Sequence, residues 1–294
     1  MKHPLYGWPC NLEGSSKRSK EVDLHETQKI SIVIPTLNQG ETLEHTLLSI
    51  INQDYNNFEI IVMDGGSSDI TADIVDEYRC WIDQYQSGSD SGQSEAINSG
   101  FRRASGNIFA WINSDDYYLP GAFRTIVSEF SRDPSIDIVV GAGDIITKSS
   151  EFLKHISGKE MNRSNLLNWH NDHWIMQQSC FWSADVWRKC GGVDESLQLL
   201  MDYDLWMRFA LEGKCSVVDK VLAVMRYYPE AKSVSMKDKV REEEAYVYAK
   251  NGELGEVRRV VSELVVKNIN MHQEIEKRDR SLGARIMRRL GLYI

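Results

Sequence analysis

Two short β-branched runs, Ile30-Ser31-Ile32-Val33-Ile34-Pro35 and Glu59-Ile60-Ile61-Val62-Met63-Asp64, each give way to turn residues and then to helical spacing. This rhythm constrains the fold more than any other feature of the chain. The first run leads through Thr36-Leu37-Asn38-Gln39-Gly40 to Leu43, Leu47, Ile50 and Ile51. The second leads through Gly65-Gly66-Ser67-Ser68-Asp69 to Ile74, Val75 and Tyr78, with Ser68 or Asp69 as helix cap. Strand, helix, strand, helix predicts a parallel sheet built from βαβ units. Residues 81–86 read as a third strand. Ala96, Ile97, Phe101 and Ala104 mark the next helix.

The run Ile108-Phe109-Ala110-Trp111-Ile112 reads as another buried strand, and it opens into Asn113-Ser114-Asp115-Asp116. A buried parallel strand delivers its C-terminal end to the ligand crevice of an open α/β sheet. Two carboxylates there are costly unless a cation or a positive ligand compensates them. Oxygen ligands suit Mg2+ or Mn2+, and such ions are usually shared with a substrate phosphate. The pattern therefore points to a divalent ion clamping a diphosphate. The competing reading is that Asp115 caps a turn and Asp116 is solvated.

Farther along, Phe123, Ile126, Val127 and Phe130 lie at helical spacing, and residues 136–140 read as a strand. The Gly141-Ala142-Gly143 that follows lacks the third glycine of a dinucleotide loop, Ile146 standing in its place. No G-x-x-x-x-G-K-[ST] occurs, which excludes a P-loop kinase or GTPase. Residues 177–182 read as a strand and 184–190 as a short helix. Met201-Asp202-Tyr203-Asp204-Leu205-Trp206 opens another helix. Residues 215–218 and 221–224 read as two more strands. After Ser235 the composition shifts to charged helix, with an apolar stripe of Leu254, Val257, Val261, Leu264, Met271 and Ile275.

Composition narrows the function. A net charge of −9 argues against a general nucleic-acid binder. Five scattered cysteines without a C-x-x-C suggest neither a disulfide frame nor a zinc site, hence a reducing, cytoplasmic compartment. The polar N-terminus lacks the apolar core of a signal peptide, and no apolar run approaches the roughly 20 residues that span a bilayer.

Three acidic sites thus stand at the ends of expected elements: Asp64, Asp115 with Asp116, and Asp202. Together with Pro35-Thr36-Leu37-Asn38, Asp64-Gly65-Gly66-Ser67-Ser68-Asp69, the stretch from Asp90-Ser91-Gly92-Gln93 to Asn98-Ser99-Gly100, Gly192-Val193-Asp194-Glu195 and Asp202-Tyr203-Asp204-Leu205-Trp206-Met207-Arg208, they resemble family 2 glycosyltransferases. The similarity runs from about Ile30 to Ser235. It implies the GT-A type α/β fold, a mostly parallel central sheet flanked by helices, here with a helical C-terminal extension. Residues 1–29 would be an N-terminal arm and 30–235 the catalytic domain, with its donor half at about 30–120 and its acceptor half at about 121–235. Residues 236–294 would form the extension.

The resemblance also implies roles. Pro35, Thr36 and Asn38 would lie against the base and ribose of a nucleotide-sugar donor. Asp64 would accept the imide N–H of uracil, a charge-assisted bond; a cap role competes. Asp90 and Gln93 fall in a donor-site loop. Asp115 and Asp116 look like the DXD-type site, with Asp116 the preferred ligand of Mn2+ or Mg2+ and Asp115 on ribose or the metal shell. Asp202 would be the catalytic base, although Met201 replaces the usual preceding Glu. A carboxylate in hydrogen-bond reach can take the acceptor proton during attack, and direct displacement inverts the anomeric carbon. Asp204 competes with Asp202 but suits a cap better. Where many relatives carry a metal-binding His, this chain reads Tyr227-Tyr228-Pro229, so Arg226 and Lys232 are expected on the diphosphate or on a solvated face. His170, Asp172 and His173 make a weak H-x-x-H look-alike; a lid with Trp169 and Trp174 on the acceptor sugar is the stronger reading. The rivals are a sugar-phosphate nucleotidyltransferase, which needs a basic loop that residues 36–44 lack, and a non-catalytic nucleotide- or sugar-binding module.

The resemblance places such an enzyme in bacterial surface-glycan synthesis, with a glycan or lipid-linked acceptor. The tail from Lys277 has Leu282, Ile286 and Leu290 on one helical face, with Arg278, Arg285, Arg288 and Arg289 around it. A basic amphipathic helix suits peripheral contact with the inner face of a membrane. Docking of the tail on the domain or on a second subunit of a homo-oligomer competes, and Gly283 and Gly291 weaken an isolated helix.

Overall fold

Strands β1 (Ile30–Thr36) and β2 (Phe58–Asp64) are buried at every position. A strand covered on both faces reads as a continuous apolar run rather than an alternation, and these do. In this computed structural model residues 28–169, 173–229 and 236–289 are described. The chain divides into two compact units, Met1–Ser235 and Met236–Ile294.

In the first unit β1 and β2 pair in parallel, Ile30 opposite Phe58 and Thr36 opposite Asp64. Strand β3 (Gln84–Ser87) extends β2 in parallel, and β4 (Ile108–Trp111) flanks β1 on the other side. Helices α1 (Gly40–Ile51), α2 (Thr71–Glu77) and α3 (Gln93–Phe101) connect them. The C-terminal ends of all four strands therefore open on one edge, where Asp64 and the residues after Trp111 emerge.

The sheet continues with β5 (Tyr117–Tyr118), β6 (Ile138–Thr147), β7 (Phe152–Ile156), β8 (Cys180–Ser183) and β9 (Cys215–Tyr227). The strand order is β3-β2-β1-β4-β8-β6-β9-β5, with β7 paired to β6. Here parallel and antiparallel pairing mix: β8 runs against both β4 and β6, and β9 runs with β6. Residues 215–218 and 221–224, read from sequence as two strands, form the single β9, with register shifts against Gly141, Ala142 and Gly143 absorbing the irregularity. Those glycines are strand interior. A Cβ on Gly141 would lie 2.2 Å from Leu222, and one on Gly143 1.9 Å from the Met176 sulfur. The third strand begins later than 81–86, because pairing with β2 starts at Gln84 opposite Ile61, while the Trp81 N–H still donates to the Tyr78 carbonyl at 2.9 Å in the turn after α2.

Helices α4 (Ala122–Arg132), α5 (Arg163–Leu167), α6 (Ala184–Cys190) and α7 (Met201–Glu212) complete the unit. One core joins Ile32, Ile34, Leu47, Ile60, Val62 and Phe123. A second, aromatic layer seats α7: Trp206 stacks on Trp111 with centroids 6.0 Å apart and meets Trp182 edge-on at 5.6 Å. At the opposite end of the sheet, the buried Glu59 carboxylate accepts from Ser31 (2.5 Å), the Ser105 backbone N–H (2.6 Å) and the Lys29 ammonium (2.8 Å). Burial opposes its ionisation, and these bonds outweigh burial and hold its pKa below the usual range.

In the second unit, α8 (Lys237–Lys250) turns through Gly252, at φ +79°, into α9 (Leu254–Arg289). Among the described residues no helix is long and apolar enough to cross a membrane. The N-terminal arm up to residue 27, His170, Asp172 and Lys232 lie outside the described residues, as do the side chains of Leu282, Ile286 and Leu290.

Candidate active site

The loops after β1 and β2 are tied to each other. Asn38, at φ +52°, accepts from the Ser68 N–H at 2.8 Å, and its own N–H donates to the Ser67 hydroxyl at 2.8 Å. Asp69 accepts from the Gly40 N–H at 2.9 Å and caps α2 through Thr71 at 3.0 Å. Gly40 has no room for a side chain, since a Cβ there would sit 2.5 Å from Ile70. Pro35, Thr36, Asn38 and Asp64 thus belong to one rigid rim. The buried Thr36 hydroxyl has no hydrogen-bond partner.

Asp64 itself is buried yet well served. It accepts from the Ser67 N–H (2.9 Å), the Ser67 hydroxyl (2.6 Å), Ser87 (2.7 Å) and Tyr85 (3.1 Å). Burial raises its pKa, but these bonds prevail and hold the carboxyl below its ordinary range. Asp90 reaches the same rim: a Cβ on Gly65 would lie 3.2 Å from its carboxylate. Burial pushes the Asp90 pKa up, with the charges of Glu95 and Asp64 adding to it.

At the end of β4 the two acids differ. Asp116 is fully enclosed. One oxygen accepts from the Arg226 N–H at 2.9 Å, and the other accepts from Gln178 at 2.6 Å. The Asp116 carbonyl accepts from Thr46 at 2.6 Å. Burial, and then the charge of Asp115, push the Asp116 pKa well above normal against the pull of those bonds. Asp115 is half-buried and accepts the Tyr228 hydroxyl at 2.6 Å, while the Gln39 amide donates to that same hydroxyl at 3.4 Å. The Arg226 guanidinium donates to the Asp115 carbonyl, lies 2.6 Å from His45 Nδ1 and rests 4.9 Å over the Tyr117 ring. Gln93 donates to Asn113 at 2.7 Å. Gln93, Asp115, Asp116 and Arg226 are therefore brought together.

Asp202 opens α7, partly exposed, and accepts the Tyr203 N–H at 2.7 Å. Ser94, next to Gln93, donates to the Leu197 carbonyl and to the Met201 sulfur, both at 3.0 Å, which pins the start of α7 to the start of α3. Asp204 is fully buried in an ion pair with Arg208 at 2.7 Å, which leaves Asp202 as the accessible acid. Trp169 packs on Tyr203 at 5.2 Å, and Trp174 packs with Met176 and Ile145. Sequence reasoning missed Gln178, Tyr228, Thr46 and His45, whose partners lie far away in the chain.

Among the described residues no group of three or more His, Cys, Asp or Glu could hold a metal ion alone. The donors that are present fit an ion that brings its own ligands. Asp115 is the accessible carboxylate, and Mg2+ commonly takes one or two carboxylates plus substrate phosphates and water.

Residues 31–185 match the family model "Glycosyl transferase family 2". The chain belongs to that family. Among curated relatives, an uncharacterised glycosyltransferase of Rickettsia prowazekii is 29% identical over 187 residues, 61% of this chain and 58% of that protein. The GalNAc(5)-diNAcBac-PP-undecaprenol β-1,3-glucosyltransferase of Campylobacter jejuni is 30% identical over 145 residues, 47% of this chain and 45% of that one. The chain thus spans less than two thirds of these relatives' length. Among solved structures, S. aureus TarS residues 1–349 in complex with UDP-GlcNAc superposes with a TM-score of 0.63 at 18% identity, covering 75% of this chain and 66% of that one. The mannosyltransferase PcManGT of Pyrobaculum calidifontis, with GDP-Man and Mn2+, gives 0.57 at 17% identity, covering 76% and 64%. The fold is of the GT-A type.

Proposed function

We propose that this chain is an inverting, metal-dependent transferase that moves a sugar, hexosyl or N-acetylhexosaminyl, from a UDP-linked donor to a hydroxyl of a glycan or lipid-linked acceptor in surface-glycan synthesis. The observation that carries this reading is the convergence of Asp64, Asp115, Asp116 and Arg226 on one sheet edge, with Asp202 on the adjoining helix start. The rim of Thr36, Asn38 and Asp64 receives the nucleoside, with Asp64 turned to the uracil imide and Asp90 beside it. Arg226 and Asp115 flank the diphosphate. A bound Mn2+ or Mg2+ would neutralise charge on the leaving diphosphate, with Asp115 and Asp116 as its protein side. The Asp202 carboxylate takes the acceptor proton as the acceptor oxygen bonds to the anomeric carbon. The bond from that carbon to the diphosphate oxygen breaks on the opposite face, so configuration inverts. Trp169 and Trp174 border the acceptor side. The UDP-GlcNAc complex of TarS and the undecaprenol-linked substrate named for the Campylobacter relative support the donor and acceptor classes.

The test is a transfer and donor-hydrolysis assay over a panel of UDP-, GDP- and ADP-sugars with Mn2+. A UDP-sugar should turn over, and EDTA should abolish it. Turnover that survives EDTA removes the metal, and preference for a GDP-sugar removes the role given to Asp64. Binding without turnover of any donor or acceptor would make the chain a binding module.

A further inference from the structure

Within its own unit, among the described residues, helix α9 carries an exposed seam. One series on it has alternating steps of three and four and is apolar at every position but Asn268: Leu254, Val257, Val261, Leu264, Asn268, Met271 and Ile275. That is a heptad pattern, with Leu254, Val261, Asn268 and Ile275 at a, and Val257, Leu264 and Met271 at d. The spacing is sustained for three heptads. Val261, Leu264, Met271 and Ile275 are between 37% and 50% exposed.

Val257 is partly covered and Val260 beside it is buried, but from Val261 to Ile275 the seam is exposed. Ion pairs join helix α8 to α9 on another side: Arg241 reaches Glu263 at 3.5 Å, and Arg259 reaches Glu244 at 3.4 Å, while Val247, Tyr248 and Val260 of the same unit are buried. Arg259 also bonds Glu256 and Glu263 within α9. Glu256, Arg259 and Glu263 occupy c and f positions, across the helix from a and d.

The occupant follows from the seam itself. β-Branched residues at a, here Val261 and Ile275, with Leu264 at d, favour two parallel strands. The decisive residue is Asn268. An amide at one a position among apolar neighbours is satisfied by the same amide from an identical helix in register, and it fixes both strand number and alignment. A lipid surface would not require it. The seam ends where the sequence demands: Arg278 and Arg285 take the next d positions, where two copies would repel. From Leu254 to Ile275 the seam is about 33 Å long on a helix about 10–12 Å wide. That is roughly 400 Å² of face per copy, short of the roughly 800 Å² of a standard interface. We infer that α9 pairs in parallel and in register with α9 of a second copy of this chain, as a reversible, concentration-dependent dimer centred on Asn268.

The test is sedimentation velocity of the full chain from about 1 to 100 μM. The wild type should shift from monomer to dimer across that range. The double variant Val261→Glu with Ile275→Glu should stay monomeric with unchanged helical circular dichroism, because both side chains are exposed in the single chain. Val266→Glu, the same charge at the outward f position, should dimerise as the wild type does. Asn268→Cys should cross-link to a dimer on mild oxidation, well above the background from the exposed Cys80. A wild type that stays monomeric throughout overturns the inference, as does a dimer indifferent to the double substitution. Failure of Asn268→Cys to cross-link refutes the parallel register. A monomer that sediments with anionic vesicles assigns the seam to lipid instead.

Discussion

Asp64 and Asp116 both follow buried parallel strands, and their surroundings drive them in opposite directions. Asp64 meets four donors, three of them hydroxyls that can rotate, and its carboxylate is held ionised. Asp116 meets three N–H donors, the Arg226 backbone and the amides of Gln178 and, at 3.5 Å, Asn113, beside a second carboxylate and out of water, and its pKa is driven up. One site is already complete and can exchange a hydroxyl for an N–H of a neutral base. The other is under-compensated, and arriving positive charge would relieve it. Similar sequence positions, an acid after an apolar run, therefore acquire opposite electrostatics because of what the rest of the chain brings to them.

The sharpest way to break this contrast is at Asp116. Asp116→Ala should lower kcat/KM by about 10³-fold or more and weaken donor binding in Mn2+, while leaving the Arg226 N–H and the Gln178 amide without acceptors, at about 1–3 kcal/mol of stability each. Chemical denaturation and steady-state kinetics read both effects; near-normal turnover would refute the under-compensated site. Asp202→Asn is the control that touches neither acid. It should lower kcat by about 10²-fold or more with donor affinity unchanged, and an active variant alongside a dead Asp204→Asn would reverse the base assignment.

At Asp64 the expected loss is smaller and confined to recognition. Asp64→Asn should raise the UDP dissociation constant about tenfold, some 1.4 kcal/mol, and narrow the preference over GDP in calorimetric titration. An unchanged preference would separate Asp64 from the base. Tyr228→Phe, which frees one oxygen of Asp115, should change the Mn2+ concentration for half-maximal activity by a few-fold, and no change would leave the phenol without a role there.

The least effect is one of sign. A carboxyl whose folded pKa is depressed stabilises the fold above its unfolded pKa, and that contribution is lost as pH falls through the folded value. The melting-temperature advantage of wild type over Asp64→Asn should be constant near neutrality and shrink below about pH 4. A gap that widens on acidification would contradict the lowered pKa.

What the sequence made legible was local. Strands β1, β2 and β4 stand out because apolar runs, β-branched in the first two, meet turn residues. The acids at their ends, with Asp202, followed from position. Strand β5 could not be read, since Tyr117 and Tyr118 are a strand only by pairing with Val224 and Ala223. Strand β7, largely exposed, offered no apolar run. Strand β9 looked broken because Asp219 and Lys220 interrupt its apolar pattern. Gln178 and Tyr228 reach the paired acids from 62 and 113 residues away, a separation no spacing rule encodes. For Tyr228 the one signal was its standing near where relatives carry a histidine.

The Glu59 cluster at the far end of the sheet depends on a residue that precedes the first strand. Lys29 contributes its ammonium to Glu59, and its carbonyl accepts the N–H groups of Asn107 and Ile108 at 2.8 and 3.0 Å. A shortened chain beginning at Ser31 would keep every strand residue but one, yet it would strand a buried carboxylate without its cation and leave two amides at the head of β4 unmet. Losing one partner of a buried pair is strongly destabilising. Lys29, a residue outside any strand, is thus part of what holds this unit together, and trimming by secondary structure alone would remove it.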